Sequence, residues 1–280
     1  YTLDDILIYK LIFWKVVKIM HDKLFKTDLG DYKISVRAGK TIIVFLNGAS
    51  GFDTFDSFAP IITKLPKSIG ILAIDYLNSG MSSLTKKTYR LEEDITNLVE
   101  IIEKQNAQKI IIVAHSMGGI LALPIADRIN NFSGFIGLEP TTREIIFNPS
   151  KEKTYIAQKN KFEIMTEEQR IIKMQNQTKK NFSKEQDKLL WQHYYQNDQR
   201  HSEVKDAQKQ KELIQSVVNY DNIRFHRAAP SVIFTQKYRK AEYERSEYIT
   251  DRTKIICLGN NHYFFWDFPE EIAKKIIRLS

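Results

Sequence analysis

The stretch "IIIVAHSMGGILAL", residues 110–123, places Ser116 between an apolar run and two glycines. A serine on a sharp turn that opens a helix can act as a nucleophile. The turn pushes its hydroxyl out of the backbone, and the N–H groups that follow point at any anion formed on attack. The usual pattern for such a turn is G-x-S-x-G. Here Ala114 stands at the first position and Gly118 at the last, with Gly119 behind it. Alanine adds only one methyl before the serine. The competing reading is a Gly-rich helix start.

A serine hydroxyl is a poor nucleophile at neutral pH and needs a base within hydrogen-bond reach. His262, in "CLGNNHYFFWDFPEE", directly follows the last strand-like run. A parallel strand there brings it to the same sheet edge as Ser116. His115 points elsewhere from the turn and reads as structural. His193, His201 and His226 fall in a segment without a fixed relation to Ser116.

The base in turn needs a carboxylate to hold its tautomer and stabilise the imidazolium. After "PSVIFTQ" the chain offers no acid but Lys237-Tyr238-Arg239-Lys240. After "FSGFIGL" comes Glu139, at a strand tip, and it is the favoured acid. Glu242, Glu244 and Glu247 are the alternatives, and a plain loop or helix-cap acid before Pro140 is the structural reading of Glu139. The oxyanion of a tetrahedral intermediate needs N–H donors. Met117 N–H is one by position. Ala49 N–H, in the loop after "IIVFLNG", is the expected second, with Gly48, Ser50 and Gly51 keeping that loop free of bulk.

These residues need a frame. "KLFKTDLGDYKISVRAG" reads as a hairpin about Gly30-Asp31. Six buried-type strands follow, at 41–51, 69–76, 109–116, 134–140, 230–236 and 253–260. Their apolar runs do not alternate, as expected where both sheet faces are covered. Between them Leu91, Ile95, Leu98 and Ile102 mark one helix face, and residues 117–130 a second helix that Pro124 is expected to kink. A last helix starts near Pro269 and carries Lys274, Lys275 and Arg278 towards its C-terminus. The alternation predicts an α/β fold, with a mostly parallel central sheet covered by helices on both faces.

Residues 142–228 break the rhythm and read as an inserted helical cap. Thr166-x-x-Gln169 and Ser183-x-x-Gln186 look like capping boxes, and Leu189, Leu190, Trp191, Tyr194 and Tyr195 give the second of these helices an apolar side. The expected organisation is an N-terminal amphipathic helix (1–24), a core of 25–141 with 229–280, and the cap between. In the first segment Lys10, Lys15 and Lys18 fall within roughly 140° of one another. The opposite side carries Ile8, Ile12, Phe13, Val16 and Ile19, so residues 6–20 dock on the protein body or lie against a membrane surface.

The chain has 280 residues, 42% of them hydrophobic, enough for one large domain with an insertion. Lone Cys257 makes no internal disulfide. The net charge of +8 is spread among interspersed signs: residues 142–227 hold 17 Lys/Arg against 12 Asp/Glu with no compact basic block. That describes a solvated exterior and argues against nucleic acid as a partner. Neither H-E-x-x-H nor CxxC is present, nor a P-loop or complete GxGxxG, so no metal or nucleotide cofactor is implied. No run of about 18 uncharged apolar residues occurs to span a bilayer. The chain begins at Tyr1 rather than Met, so an upstream segment removed by processing or by design is expected, a signal or anchor being one candidate.

Taken together the motifs resemble the α/β-hydrolase fold superfamily over about residues 25–280. "FLNGASG" resembles its HG-containing oxyanion loop, with Asn47 where His is common. "DYLNSGMSS" resembles D-x-x-G-x-G-x-S, with Asn78 at the first Gly, and "AHSMGG" is similar to the nucleophile elbow. "GNNHYFFWDFPEEIAKKI" resembles the histidine segment, and "FIGLEPTT" the "IIGLD" of bacterial surface-associated hydrolases, with Glu for Asp. The resemblance implies a Ser116–His262–Glu139 triad and a helical cap. The expected activity is serine hydrolysis of a small or medium carboxylic ester. Amide or peptide cleavage, or ligand binding without catalysis, are the alternatives. Trp191, Tyr194 and Phe264, with Tyr195, Phe265 and Trp266, are expected along an apolar acyl pocket, although core packing explains any one of them equally well. The location expected is a tethered bacterial cell surface, with the cytoplasm as the alternative. The oligomeric state is open.

Overall fold

A computed structural model of the chain describes residues 20–49, 51–85, 87, 89–147, 151, 153, 155–157, 164–201 and 229–280. Residues 6–19 of the amphipathic stretch and residues 202–228 therefore lie outside the described residues. Eight strands form one sheet: β1 (His21–Lys26), β2 (Asp31–Arg37), β3 (Thr41–Leu46), β4 (Gly70–Ile74), β5 (Lys109–His115), β6 (Phe132–Leu138), β7 (Ser231–Thr235) and β8 (Thr253–Cys257). Their spatial order is β1-β2-β4-β3-β5-β6-β7-β8. The β1–β2 hairpin and the β2–β4 pair are antiparallel, and the other neighbours run parallel.

The apolar runs explain why this sheet is buried. Side chains alternate between its faces. Ile42, Val44 and Leu46 of β3 join Ile110, Ile112 and Ala114 of β5 in one core layer. Ile43, Phe45, Ile111 and Val113 enter the other. The first layer is closed by α2 (Leu91–Glu103) and α3 (Gly118–Arg128). The second is closed by α1 (Thr54–Ile62) and α8 (Pro269–Leu279). Helix α3 runs unbroken from Gly118 to Arg128 through Pro124. Helix α8 has Pro269 in its first turn, followed by Glu270 and Glu271, and Arg278 in its last turn, each charge matched to the helix dipole.

Between β6 and β7 the described chain is helical: α4 (Arg143–Phe147), α5 (Glu167–Asn181) and α6 (Lys184–His201). Both expected capping boxes form. Thr166 Oγ1 accepts from Gln169 N–H while Gln169 Oε1 accepts from Thr166 N–H, and Ser183 and Gln186 repeat the exchange. Phe182, Leu190 and Trp191 bury into the second core layer. Helix α7 (Lys240–Glu244) follows β7. Among the described residues no helix is long and apolar enough to cross a membrane.

The chain leaves β3 for β4 on one side and later returns to β5 on the other side of β3. The loops after β3 and β5 leave the sheet at this switch of direction, at the C-terminal ends of the parallel strands, where open α/β sheets bind ligands.

Candidate active site

Ser116 follows β5 at that edge of the sheet, with φ of 50°, a conformation rare for a residue with a side chain. Its neighbours force the turn. Ser116 N–H donates to Leu138 O at 3.2 Å, and Ser116 O accepts from Gly119 N–H at 3.0 Å and Thr141 N–H at 2.8 Å. The side chain stays partly exposed while Ala114 and Gly118 on either side are buried. A Cβ on Gly118 would lie 2.6 Å from both Leu46 O and Asn47 O. Both obstacles are backbone, so Gly118→Ala is expected to cost about 1–3 kcal/mol of stability, read as a lowered midpoint in urea unfolding.

The loop after β3 lies against this elbow: a Cβ on Gly48 would sit 2.9 Å from Ser116 Cβ. Asn47, where the related motif has His, shapes the loop from within. Its Oδ1 accepts from Gly48 N–H at 2.9 Å and its Nδ2 donates to Phe52 O at 3.3 Å. Tyr76 Oη donates to Asn47 O at 2.9 Å. Ala49 is exposed at the loop's surface. Among the described residues neither Ala49 N–H nor Met117 N–H has a protein acceptor. The next turn, after β4, is held by Asp75, which accepts from Thr54 N–H at 2.7 Å and Met81 N–H at 2.8 Å. Asn78 has φ of 59° there, which explains why Asn can replace the first Gly of the motif.

The loop after β8 carries His262, whose ring is 4.6 Å from that of His115. His115 is fully buried, and its Nε2 meets His262 O at 3.1 Å. Burial, reinforced by the neighbouring His262, pushes His115 well below the ordinary histidine range. It is therefore the neutral ring that donates Nε2–H to this carbonyl and holds the loop. His262 Nδ1 lies 2.8 Å from Glu139 Oε2. The Ser116 hydroxyl makes no hydrogen bond to His262 among the described contacts. Such links are often long before substrate binds and tighten with it.

Glu139 is the one of the four acids considered that touches His262. It is 1% exposed, sits at the tip of β6, and has φ of 44° although Pro140 follows. A residue before proline avoids such helical conformations, so the position is strained and is held by its contacts. Glu139 N–H donates to Phe234 O at 2.9 Å. Glu139 Oε1 accepts from Gln236 N–H at 3.0 Å and Thr235 Oγ1 at 3.2 Å, and Arg239 Nη1 is 3.1 Å from Oε2. Burial opposes its charge, but the Arg239 guanidinium and His262 outweigh that and hold the carboxyl down at about 2. The other acids are engaged elsewhere: Glu242 with Arg239 and Thr142, Glu244 with Lys240 at the surface, and Glu247 with Arg143 N–H. Arg239 and Gln236 escaped sequence reasoning as parts of the site. Their signal was the basic run after β7, read only as the lack of an acid.

The aromatic residues sort differently from expectation. Phe264 is fully buried with Phe265 and Trp266 in the second core layer, so it packs the core and does not wall a pocket. The same burial removes Phe265 and Trp266 from the wall. Tyr263, one residue earlier, is partly exposed and lies 5.9 Å from the His262 ring. Tyr194 is half-buried against Phe52 at 4.8 Å, and Trp191 is nearly buried against the same ring at 5.4 Å. Tyr195 is 43% exposed on the outer side of α6.

Helix α6 also lays a polar seam on α1 and the loops after β3 and β4, at i, i+4 and i+7. His193 Nδ1 meets Asp56 Oδ2 at 2.6 Å, Asn197 Nδ2 donates to Gly51 O at 2.7 Å, and Arg200 Nη2 donates to Ser82 O at 2.7 Å. Asp53, Asp56 and His193 bring ligand atoms within 4.8 Å of one another, a cluster that sequence spacing does not reveal. The Lys33 ammonium stands 2.6 Å from Asp53 Oδ2 and already supplies a cation there.

Comparison with known proteins adds context to this geometry. A family model described as "Alpha/beta hydrolase family" matches residues 43–275. The solved structure of Smu.1393c from Streptococcus mutans is 30% identical, with a TM-score of 0.81 over 93% of this chain and 97% of that one. A serine hydrolase involved in carbazole degradation shares the fold at 14% identity, with a TM-score of 0.60 over 93% of this chain and 98% of that one. A Haemophilus influenzae protein described as "Putative esterase/lipase" is 29% identical over 110 residues, 39% of this chain and 36% of that protein's length.

Proposed function

The chain belongs to the alpha/beta hydrolase family, and from that premise we propose that it is a serine hydrolase cleaving a small or medium carboxylic ester through an acyl-enzyme. One observation carries the reading. A buried, ionised Glu139 touches Nδ1 of His262, beside a serine turned out of the backbone at the switch point of the sheet. With Nδ1–H donated to the carboxylate, Nε2 keeps its lone pair and acts as the base.

Ser116 Oγ attacks the acyl carbonyl while Nε2 of His262 takes its proton. The negative oxygen of the tetrahedral intermediate is met by the N–H groups of Met117 and Ala49. Nε2 returns the proton to the leaving alcohol, and the acyl group stays on Ser116. Water, deprotonated by His262, attacks that ester, and collapse of the second intermediate frees the acid and Ser116. Tyr194 and Tyr263, both partly exposed, offer the apolar faces for a modest acyl group.

Labelling with a fluorophosphonate probe and a panel of esters of graded acyl length, with the matching amides, tests this. Label on Ser116 and turnover of the shorter esters ahead of amides are expected. An unlabelled wild type leaves ligand binding without catalysis as the better reading, and faster amide turnover moves the assignment to an amidase. Asn197→Ala frees Gly51 O beneath the oxyanion loop. It is expected to lower kcat/KM about fivefold, the worth of one hydrogen bond of about 1 kcal/mol, measured on the best ester of that panel.

A further inference from the structure

We propose that Arg239 is a positioning residue for the reacting pair: its buried guanidinium bridges Glu139 and Glu242 and fixes the Glu139 carboxylate against Nδ1 of His262. The proposal rests on the reading of Ser116, His262 and Glu139 given above. Arg239 is 5% exposed, and its Nη1 lies 3.1 Å from the Glu139 oxygen that also faces His262. The rest of the fork is spent on Glu242: Nε to Oε2 at 3.0 Å and Nη2 to Oε1 at 2.8 Å. That two-point grip sets the plane of the guanidinium, so the third nitrogen has one place to point. Glu242 is itself anchored through Thr142 Oγ1, on the segment that continues from Glu139. The contacts thus form a closed chain from Glu139 through Arg239 and Glu242 back to Thr142.

The arrangement offsets two liabilities of an acid placed at the tip of β6. One is the strained φ at Glu139. The other is complete burial, which alone would push a carboxylate towards its neutral form. The titratable or charged groups acting on or influenced by Glu139 are His262, Arg239, His115, Tyr155, Tyr238 and Tyr243. Of these Arg239 alone carries a permanent positive charge. The run Lys237-Tyr238-Arg239-Lys240 thus removes an acid from the tip of β7 and supplies the cation for the acid one strand away.

The test follows the rate of fluorophosphonate labelling of Ser116 against pH in wild type, Arg239→Met and Arg239→Lys, with folding checked by circular dichroism. Removing the buried cation raises the proton affinity of the Glu139–His262 pair, whichever member takes the proton. The acid limb of the labelling rate in Arg239→Met is therefore expected to move up by about one pH unit or more, a tenfold loss on that limb. Arg239→Lys keeps the charge but not the fork, so its limb stays with the wild type while its plateau falls. The double variant Arg239→Met with Glu242→Gln leaves no stranded Glu242 carboxylate, and it carries the same expectation if the single variant does not fold. A lowered plateau with an unmoved limb in Arg239→Met, or in the double variant, means structural support only and overturns the proposal while the triad reading stands. A wild type that takes no label overturns both.

Discussion

Ser116→Ala is expected to lower kcat/KM for the best ester by about 10⁴- to 10⁶-fold, the loss typical of removing the nucleophile from such an array. The variant keeps the N–H groups proposed to hold the oxyanion, so a trace of activity above water is expected to remain. The fold is expected to survive. The φ of 50° is held by backbone bonds from Leu138, Gly119 and Thr141, none of which uses the Ser116 side chain. Steady-state kinetics with circular dichroism on the same sample decides it. A variant that keeps a tenth of wild-type activity would place the nucleophile elsewhere.

Glu139→Gln is expected to have the second largest effect, a loss of about 10³- to 10⁴-fold in kcat with KM little changed. Glutamine keeps the shape but removes the charge that fixes the His262 tautomer. An amide nitrogen facing Nδ1 selects the ring form with Nδ1 as acceptor, which leaves a proton on Nε2, where the base must be free. The same change strips one anion from buried Arg239, and breaking a buried pair costs about 3–5 kcal/mol. Stability and activity must therefore be measured together. In the wild type the folded-state pKa of Glu139 is depressed from its ordinary 4.5 to about 2. Its contribution to stability is thus fully present above the unfolded value and is lost as pH falls through that window. Urea unfolding from pH 6 to pH 2 is expected to show a steeper loss in wild type than in Glu139→Gln. Parallel curves would mean that Glu139 is not held as an anion.

Much of this was legible before any coordinates. The unalternating runs of β3 to β7 announce strands covered on both faces, whereas β8, read from the same pattern as buried, lies at the sheet edge and stays half-exposed. Local chemistry also placed both capping boxes of the insertion and the proline-led α8, because each depends on residues within one turn of one another. Ser116, Glu139 and His262 were nameable because each follows the end of a parallel strand, and parallel strands bring those ends to one edge.

Other features depended on contacts between distant segments. Phe264 and Tyr263 are adjacent, and only the winding of the loop after β8 decides which ring enters the core and which faces His262. The choice of Glu139 over Glu242 turns on a positive φ before Pro140 that no propensity favours; contacts with Phe234, Gln236 and Arg239, all at or beyond β7, hold it there. Asp53 and Asp56 meet His193 across more than 130 positions. The sequence by itself determined the sheet, the elbow and the order of Ser116, Glu139 and His262 along the sheet edge, since these follow from short-range pattern and strand direction. Only the tertiary structure decided which carboxylate reaches His262 and what keeps it charged. A buried charge is set by the partners the fold brings to it, and Arg239 comes from the neighbouring strand's loop.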